Sequence, residues 1–197
     1  MSENITIRPA TAADAPSMAI LVDIAAHGLA AYFWSAAVRR GEAYSVLEIG
    51  RQRAMRDEGS FSWRNASIAE IDDQIAAMLI GYRQPDEPED VDLDELDPVI
   101  RPLMELEPLS AGTWYVNVLA SFAEFRGRGA GSALMGKAEE IARSTDARGL
   151  SLIVENTNEA ASRLYQRLGF REIARKPFHP FPGSTPIESW VLMERLF

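Results

Sequence analysis

Three glycines alternate with other residues in Phe125-Arg126-Gly127-Arg128-Gly129-Ala130-Gly131-Ser132. The stretch lies between a β-type run, Trp114 to Ser121, and a helix-type run, Gly129 to Arg143. Glycine tolerates backbone angles that other residues avoid, so successive N–H groups can turn to one side and approach a ligand closely. A helix that begins there adds unpaired N–H groups and a partial positive charge. Together these features predict a cradle for a phosphate group. Arg126 and Arg128 add cationic charge to it. Two commoner phosphate loops do not fit. A dinucleotide loop needs G-x-G-x-x-G, but the sixth position from Gly127 is Ser132 and from Gly129 is Leu134. A nucleotide-triphosphate loop needs G-K-[ST], and here Ala138 follows Gly136-Lys137.

The surrounding pattern predicts a mixed α/β chain. Ile5 to Arg8 reads as a strand ended by Pro9, and Thr11 with Asp14 as a helix start. That helix would bury Met18, Leu21 and Val22. A second helix is expected over Gly41 to Arg56, with the aromatic stretch Leu29 to Trp34 between them. Phe61 to Ile71 and Gln74 to Arg83 read as strands joined by Asp72-Asp73, an antiparallel hairpin. Beyond the glycine loop come a strand over Leu150 to Glu155 and a helix over Asn158 to Leu168, capped by Asn158 and closed by Gly169. Two last strands, Phe170 to Ala174 and Ser189 to Glu194, flank a proline-rich loop.

Residues 84–112 interrupt this order with ten acids and a single base, Arg101. They read as an acidic insertion in one domain spanning residues 1–197, with a short helix around Val99 to Glu105. The whole chain carries 29 acids against 20 bases, a net charge of -9. Such a chain is repelled by phosphate backbones and anionic lipid, so neither nucleic acid nor membrane is expected as a partner. The N-terminus, Met1-Ser2-Glu3-Asn4, has no secretory-leader pattern, and the longest apolar run near it is Met18 to Val22. A cytoplasmic location is the expectation. There is no cysteine, which removes thiolate metal sites and thiolate nucleophiles from consideration. His27 and His179 lack metal-ligand spacing, so no metal is expected.

The glycine loop is followed by Asn158-x-x-Ala161-x-x-Leu164-Tyr165-x-x-Leu168-Gly169-Phe170. The two motifs together, in this order of elements, resemble the GNAT superfamily of acyl-CoA-dependent N-acetyltransferases. The resemblance is strong over Trp114 to Phe170 and one of order and type elsewhere. It implies a mixed, mostly antiparallel central sheet flanked by helices, with splayed fourth and fifth strands. It implies acetyl-CoA as cosubstrate, with its pyrophosphate held by Arg126, Gly127, Arg128, Gly129, Ala130, Gly131 and Ser132. Leu119, Ala120 and Ser121 match the strand whose backbone lines the pantetheine and points an N–H at the acetyl carbonyl. Asn158 matches a CoA contact, and Tyr165 the tyrosine that protonates the departing thiolate. One departure is visible: Phe122-Ala123-Glu124 lacks the proline that often precedes the arginine loop.

With no cysteine, the acyl group is expected to move directly to an amine in a ternary complex. Glu155, at the end of its strand, is the candidate base. Asn117, Glu105 and Glu107 are candidates for contact with the acceptor or its ammonium. Tyr32, Phe33 and Trp34 match the acceptor cover of resembling enzymes. Acid and aromatic residues together suggest a small cationic amine as acceptor, and a homodimer is compatible with this reading. Two other readings stay open: a non-catalytic CoA-binding module, and a protein N-terminal or lysine acetyltransferase. Fold alone does not choose among them.

Overall fold

The computed structural model describes residues 4–88, 91–185 and 187–197. Residues 1–3, Glu89 and Asp90 of the acidic stretch, and Pro186 lie outside the described residues. The strands are β1 (Ile5–Pro9), β2 (Ala66–Ile71), β3 (Gln74–Arg83), β4 (Trp114–Ser121), β5 (Gly149–Glu155), β6 (Arg171–Pro177) and β7 (Ser189–Leu196). The helices are α1 (Ala15–Ala25), α2 (Leu29–Arg39), α3 (Val46–Ala54), α4 (Arg101–Leu106), α5 (Ala130–Ser144) and α6 (Glu159–Arg167). The strands form a seven-stranded sheet in the order β1-β2-β3-β4-β5-β7-β6. β4 and β5 run parallel; β1–β2, β2–β3, β5–β7 and β7–β6 run antiparallel. The expected mixed, mostly antiparallel sheet is therefore present. Among the described residues, no helix is long and apolar enough to cross a membrane.

The chain divides into two compact units, each assembled from separated segments. The first comprises residues 1–81, 117–137 and 182–184. Its core contains Met18, Leu21 and Val22 of α1, Trp34 of α2, Ile49 of α3, Ile68, Met78 and Ile80 of the hairpin, and Val118 of β4. The expected helix start is built around Asp14, whose carboxylate accepts from the Thr11 N–H at 2.7 Å and from its hydroxyl at 3.0 Å. Arg8 locks this start to the sheet. It bonds both oxygens of Asp14 at 2.8 Å and Glu70 of β2 at 2.8 Å. The Arg8 hydrogen bond, which outweighs burial, holds the Asp14 carboxyl below its ordinary pKa. The hairpin turn is Asp72-Asp73, with both φ angles positive (52° and 60°), the geometry that two-residue hairpins favour.

Three boundaries differ from the sequence expectation. The aromatic stretch Leu29 to Trp34 is the first half of α2, which starts after Gly28 in a left-handed conformation. The second strand begins at Ala66 because Ser62 caps one tight turn, Trp63–Asn65, ahead of it. The expected long helix is confined to α3, where the Ser45 hydroxyl accepts from the Glu48 N–H at 3.2 Å.

The second unit comprises residues 82–116, 138–181 and 185–197. Leu106, Leu150, Leu152 and Leu192 are fully buried in it. β4 and β5 pair over Trp114–Val116 and Leu150–Leu152. A buried hydroxyl pair reinforces that pairing, Thr113 Oγ1 to Ser151 Oγ at 2.6 Å. β5 then continues beside β7 as far as Glu155, opposite Trp190. The acidic insertion is more ordered than a solvated loop. Gln84 N donates to Thr113 O at 2.8 Å, and Lys176 of β6 pairs with Glu105 of α4 at 2.7 Å.

At the start of β5 the backbone of β7 leaves no room for a side chain. A methyl group on Gly149 would lie 2.4 Å from the Arg195 carbonyl oxygen and 2.8 Å from the Leu196 Cα. Neither atom can swing aside as a flexible side chain would. Gly149→Ala is expected to lower stability by about 1–3 kcal/mol, the usual range for overpacking. A urea unfolding curve measures it, and an unchanged midpoint would contradict this close approach.

Candidate active site

In the first unit, β4 ends at Ser121 and the chain makes one tight turn, Ala123–Phe125. Phe122 N donates to Ala76 O of β3 at 3.0 Å, which fixes where the turn leaves the sheet. Gly127 and Gly129 have φ of +77° and +93°. In that region a Cβ meets the following carbonyl, at a cost of about 1–2 kcal/mol per residue. α5 begins at Ala130, and its first backbone bond runs from Ala133 N to Gly129 O at 3.0 Å. The N–H groups of the first turn therefore have no partner within the helix. A methyl group on Gly127 would meet no atom within 4 Å; one on Gly129 would meet Ile5 at 3.4 Å. Gly127 and Gly129 are not buried, and Arg126 is exposed. Arg128 lies over the Phe125 ring and pairs weakly with Asp72 at 3.5 Å. The sequence thus folds here into an open, glycine-built cradle of donors edged by two arginines.

Other expected residues of this unit fall as follows. Ala120 is buried, while Leu119, Ser121 and Asn117 are half-buried along β4. Tyr32 and Phe33 are half-buried and stack edge to face at 5.1 Å. Trp34 is 3% exposed, and the structure places it in the core with its ring seated over Gly50.

In the second unit, Asn158 caps α6: its Oδ1 accepts from Ala161 N at 3.2 Å. Tyr165 follows two turns later and is buried, with its ring 5.8 Å from Phe170. Burial raises the Tyr165 phenol well above its ordinary pKa, so it is a neutral donor at pH 7. Glu155 is buried at the end of β5 and is already engaged within the fold. Glu105 is tied to Lys176, as described above.

A constellation that sequence reasoning only touched lies in this same unit. Glu107 begins the short turn that leads into β4, and two neutral groups hold its carboxylate, the Tyr115 hydroxyl and the Gln84 amide. Tyr82 of β3 meets Tyr115 edge to face, with ring centroids 5.8 Å apart. Tyr115 is buried, whereas Tyr82, Gln84 and Glu107 are half-buried. The buried Gln84 Nε2 completes no well-formed hydrogen bond with the protein. Burial raises the Glu107 carboxyl above its ordinary value, and the two hydrogen bonds only partly offset this. Burial also raises both tyrosines, and the Glu107 charge adds to it. The sequence does carry a signal for this cluster. Two tyrosines and a glutamine fall where β3 and β4 join at the Gln84–Thr113 bond, but nothing local ties them to Glu107.

A family model described as the acetyltransferase (GNAT) family matches residues 27–170. The chain belongs to the GNAT acetyltransferase family. Comparison with curated proteins gives no match. Similar solved structures share its fold at low identity. One is described as an acetyltransferase: TM-score 0.65, 18% identity, 97% of this chain and 98% of that one covered. An N-acetyltransferase from Staphylococcus aureus Mu50 aligns with TM-score 0.63 and 19% identity, covering 96% and 100%. A ribosomal-protein-alanine N-acetyltransferase from Brucella melitensis aligns with TM-score 0.62 and 20% identity, covering 98% and 99%.

Glu107 has a consequence for stability. Its folded pKa is raised, so between that value and the unfolded value of about 4.5 the folded state binds more protons. The ionised carboxylate therefore costs stability at neutral pH, and the cost fades as pH falls through that window. Glu107→Gln is expected to be at least as stable as the parent at pH 7, with the gain shrinking toward pH 4. Thermal melting across this range measures it; a variant much less stable at pH 7 would contradict the desolvation argument.

Proposed function

We propose that this protein is an N-acetyltransferase that moves the acetyl group of acetyl-CoA to a primary amine by direct attack within a ternary complex. The acceptor in this reading is a small-molecule amine. The observation that carries the donor half is the left-handed pair Gly127 and Gly129 at the start of α5. Their conformation leaves the first-turn amides of α5 available to an anion, beside Arg126 and Arg128. The fit to a pyrophosphate is chemical as well as geometric: acceptor oxygens meet backbone donors and cations, and the first glycine keeps the approach open. Leu119, Ala120 and Ser121 would supply main-chain partners for the pantetheine arm. An N–H of that segment would stabilise the oxyanion as the amine adds to the thioester carbonyl.

Collapse of the tetrahedral intermediate breaks the C–S bond and leaves a thiolate. Tyr165 would donate its proton to that sulfur. Full transfer from a phenol of raised pKa is uphill in water, but the same burial raises the proton affinity of the departing sulfur. The donated hydrogen bond stabilises the leaving group in either case. Glu155 is one candidate for the base that deprotonates the amine, acting through water, and the Glu107 cluster supplies another. Retention of a tyrosine at the motif position supports a catalyst over a silent CoA-binding module. A protein N-terminal or lysine amine is the competing acceptor; the Brucella structure is named a ribosomal-protein-alanine N-acetyltransferase.

The test is free-thiol release from acetyl-CoA with a panel of amines and peptides. Tyr165→Phe is expected to lower kcat about 100-fold or more, the range of a lost general acid, with CoA affinity unchanged. Gly129→Val is expected to abolish CoA binding by calorimetry while the protein stays folded. Normal CoA binding by that variant would refute the placement of the cradle, and thiol release only with peptides would redirect the acceptor.

A further inference from the structure

Many glutamates of this chain have a cation. Glu48, Glu70, Glu105, Glu139, Glu172 and Glu194 each bond an arginine or a lysine within 2.9 Å. Glu107 is half-buried, and among the described residues no Lys, Arg or His is seen bonded to it. Neutral donors hold it instead, Tyr115 and Gln84, with the Tyr82 ring beside them. A carboxylate taken out of water is costly unless a charge compensates it. The fold has supplied hydrogen bonds and two neighbouring tyrosine rings, but not the positive charge.

We propose that Glu107, framed by Tyr82, Gln84 and Tyr115, receives the acceptor as an ammonium ion and takes a proton from its nitrogen. This rests on the acetyl-transfer reading and names its substrate class: an amine that is a cation at neutral pH. The aromatic pair adds cation–π attraction, which grows when the ion is desolvated. The proton balance closes. R–NH3+ and the Glu107 carboxylate become R–NH2 and the carboxylic acid. The nitrogen lone pair then adds to the thioester carbonyl, the C–S bond breaks, and the thiolate takes a proton from Tyr165. The second proton of the nitrogen returns to the tyrosinate, and Glu107 releases its own to water.

Desolvation makes the carboxylate a stronger proton acceptor, and its hydrogen bonds only partly offset that effect. The groups facing it are Tyr82 from β3, Tyr115 from β4 and the Gln84 amide. The charged pair on the elements alongside, Glu105 of α4 with Lys176 of β6, is internally neutralised. Glu155 fits this role less well, being enclosed in the β5–β7 ladder and already engaged.

The experiment uses 1,4-diaminobutane and n-butylamine as cationic probes and n-butanol as a neutral control, with parent, Glu107→Gln and Glu155→Gln. Thiol release is followed from pH 6 to 10, amine binding by calorimetry, and folding by thermal melting. The parent is expected to hold a plateau of kcat/KM from above the Glu107 pKa up to the amine's own, about 10.4 for a lysine-like amine. Glu107→Gln is expected to bind CoA normally and to bind the diamine at least tenfold more weakly. Its kcat should fall about 100-fold, with a rate that climbs tenfold per pH unit toward pH 10 because only free amine then reacts. An active parent whose Glu107→Gln variant keeps its kcat and plateau overturns the inference and leaves the transfer reading standing. Loss of the plateau only in Glu155→Gln overturns it in the same way. A parent that releases no thiol but binds the diamine through Glu107 sinks the transfer reading and supports the ammonium site. A parent that does neither overturns both.

Discussion

The backbone of Gly127 and Gly129 is the constraint on which the start of α5 depends. Both sit in the left-handed region, where any Cβ is strained. Gly127 is not needed for close packing, since it would touch nothing within 4 Å even as alanine. Their conformation instead sets how β4 passes into α5 and therefore where the first-turn amides of that helix stand. A strand that ended one residue later, or a helix that began in a right-handed turn, would present a different set of N–H groups. The loop is short in sequence and demanding in geometry, so a few glycines at fixed spacing are enough to mark it.

The first unit ties three charged side chains together at one junction. Arg8 satisfies Asp14 and Glu70 together, and Asp14 in turn closes the start of the first helical segment on Thr11. An enclosed carboxylate there is acceptable because it accepts from three different donors. Most other ion pairs of the chain are on the surface, several only three or four residues apart, where such pairs contribute about 0–1 kcal/mol. At that magnitude they do not decide the fold.

Much of the fold is legible in the sequence because its signals are local. The Thr11–Asp14 start, the Asp72-Asp73 turn, the Asn158 cap and the alternation within the strands each depend on residues a few positions apart. The helix over Leu29–Arg39 is hidden by three adjacent aromatics, which mask the 3.6-residue period carried by Leu29, Trp34 and Ala37. Trp34 reads as part of a cover and is a core residue, because one face of α2 turns inward over Gly50. The acidic stretch has the composition of a solvated loop. Yet Lys176 and the Gln84–Thr113 bond tie its ends to strands far away in sequence. The candidate residues divide along the same line. The glycine loop and Tyr165 lie in motifs with fixed spacing, whereas the Glu107 cluster joins residues 82, 84, 107 and 115 through tertiary packing alone.

The contrast between Asp14 and Glu107 shows what kind of carboxylate each is. Both are drawn out of water, which by itself raises a carboxyl pKa. At Asp14 a guanidinium more than offsets the cost, and the shift is downward. At Glu107 only neutral donors answer, and the shift is upward. A fold selected for stability alone would resolve the second case by placing an arginine opposite it, or by replacing the acid. The acid stays, flanked by two aromatic rings and a donor without a well-aligned acceptor. Such local conflict within an otherwise consistent structure is expected where function, not stability, fixes the residue.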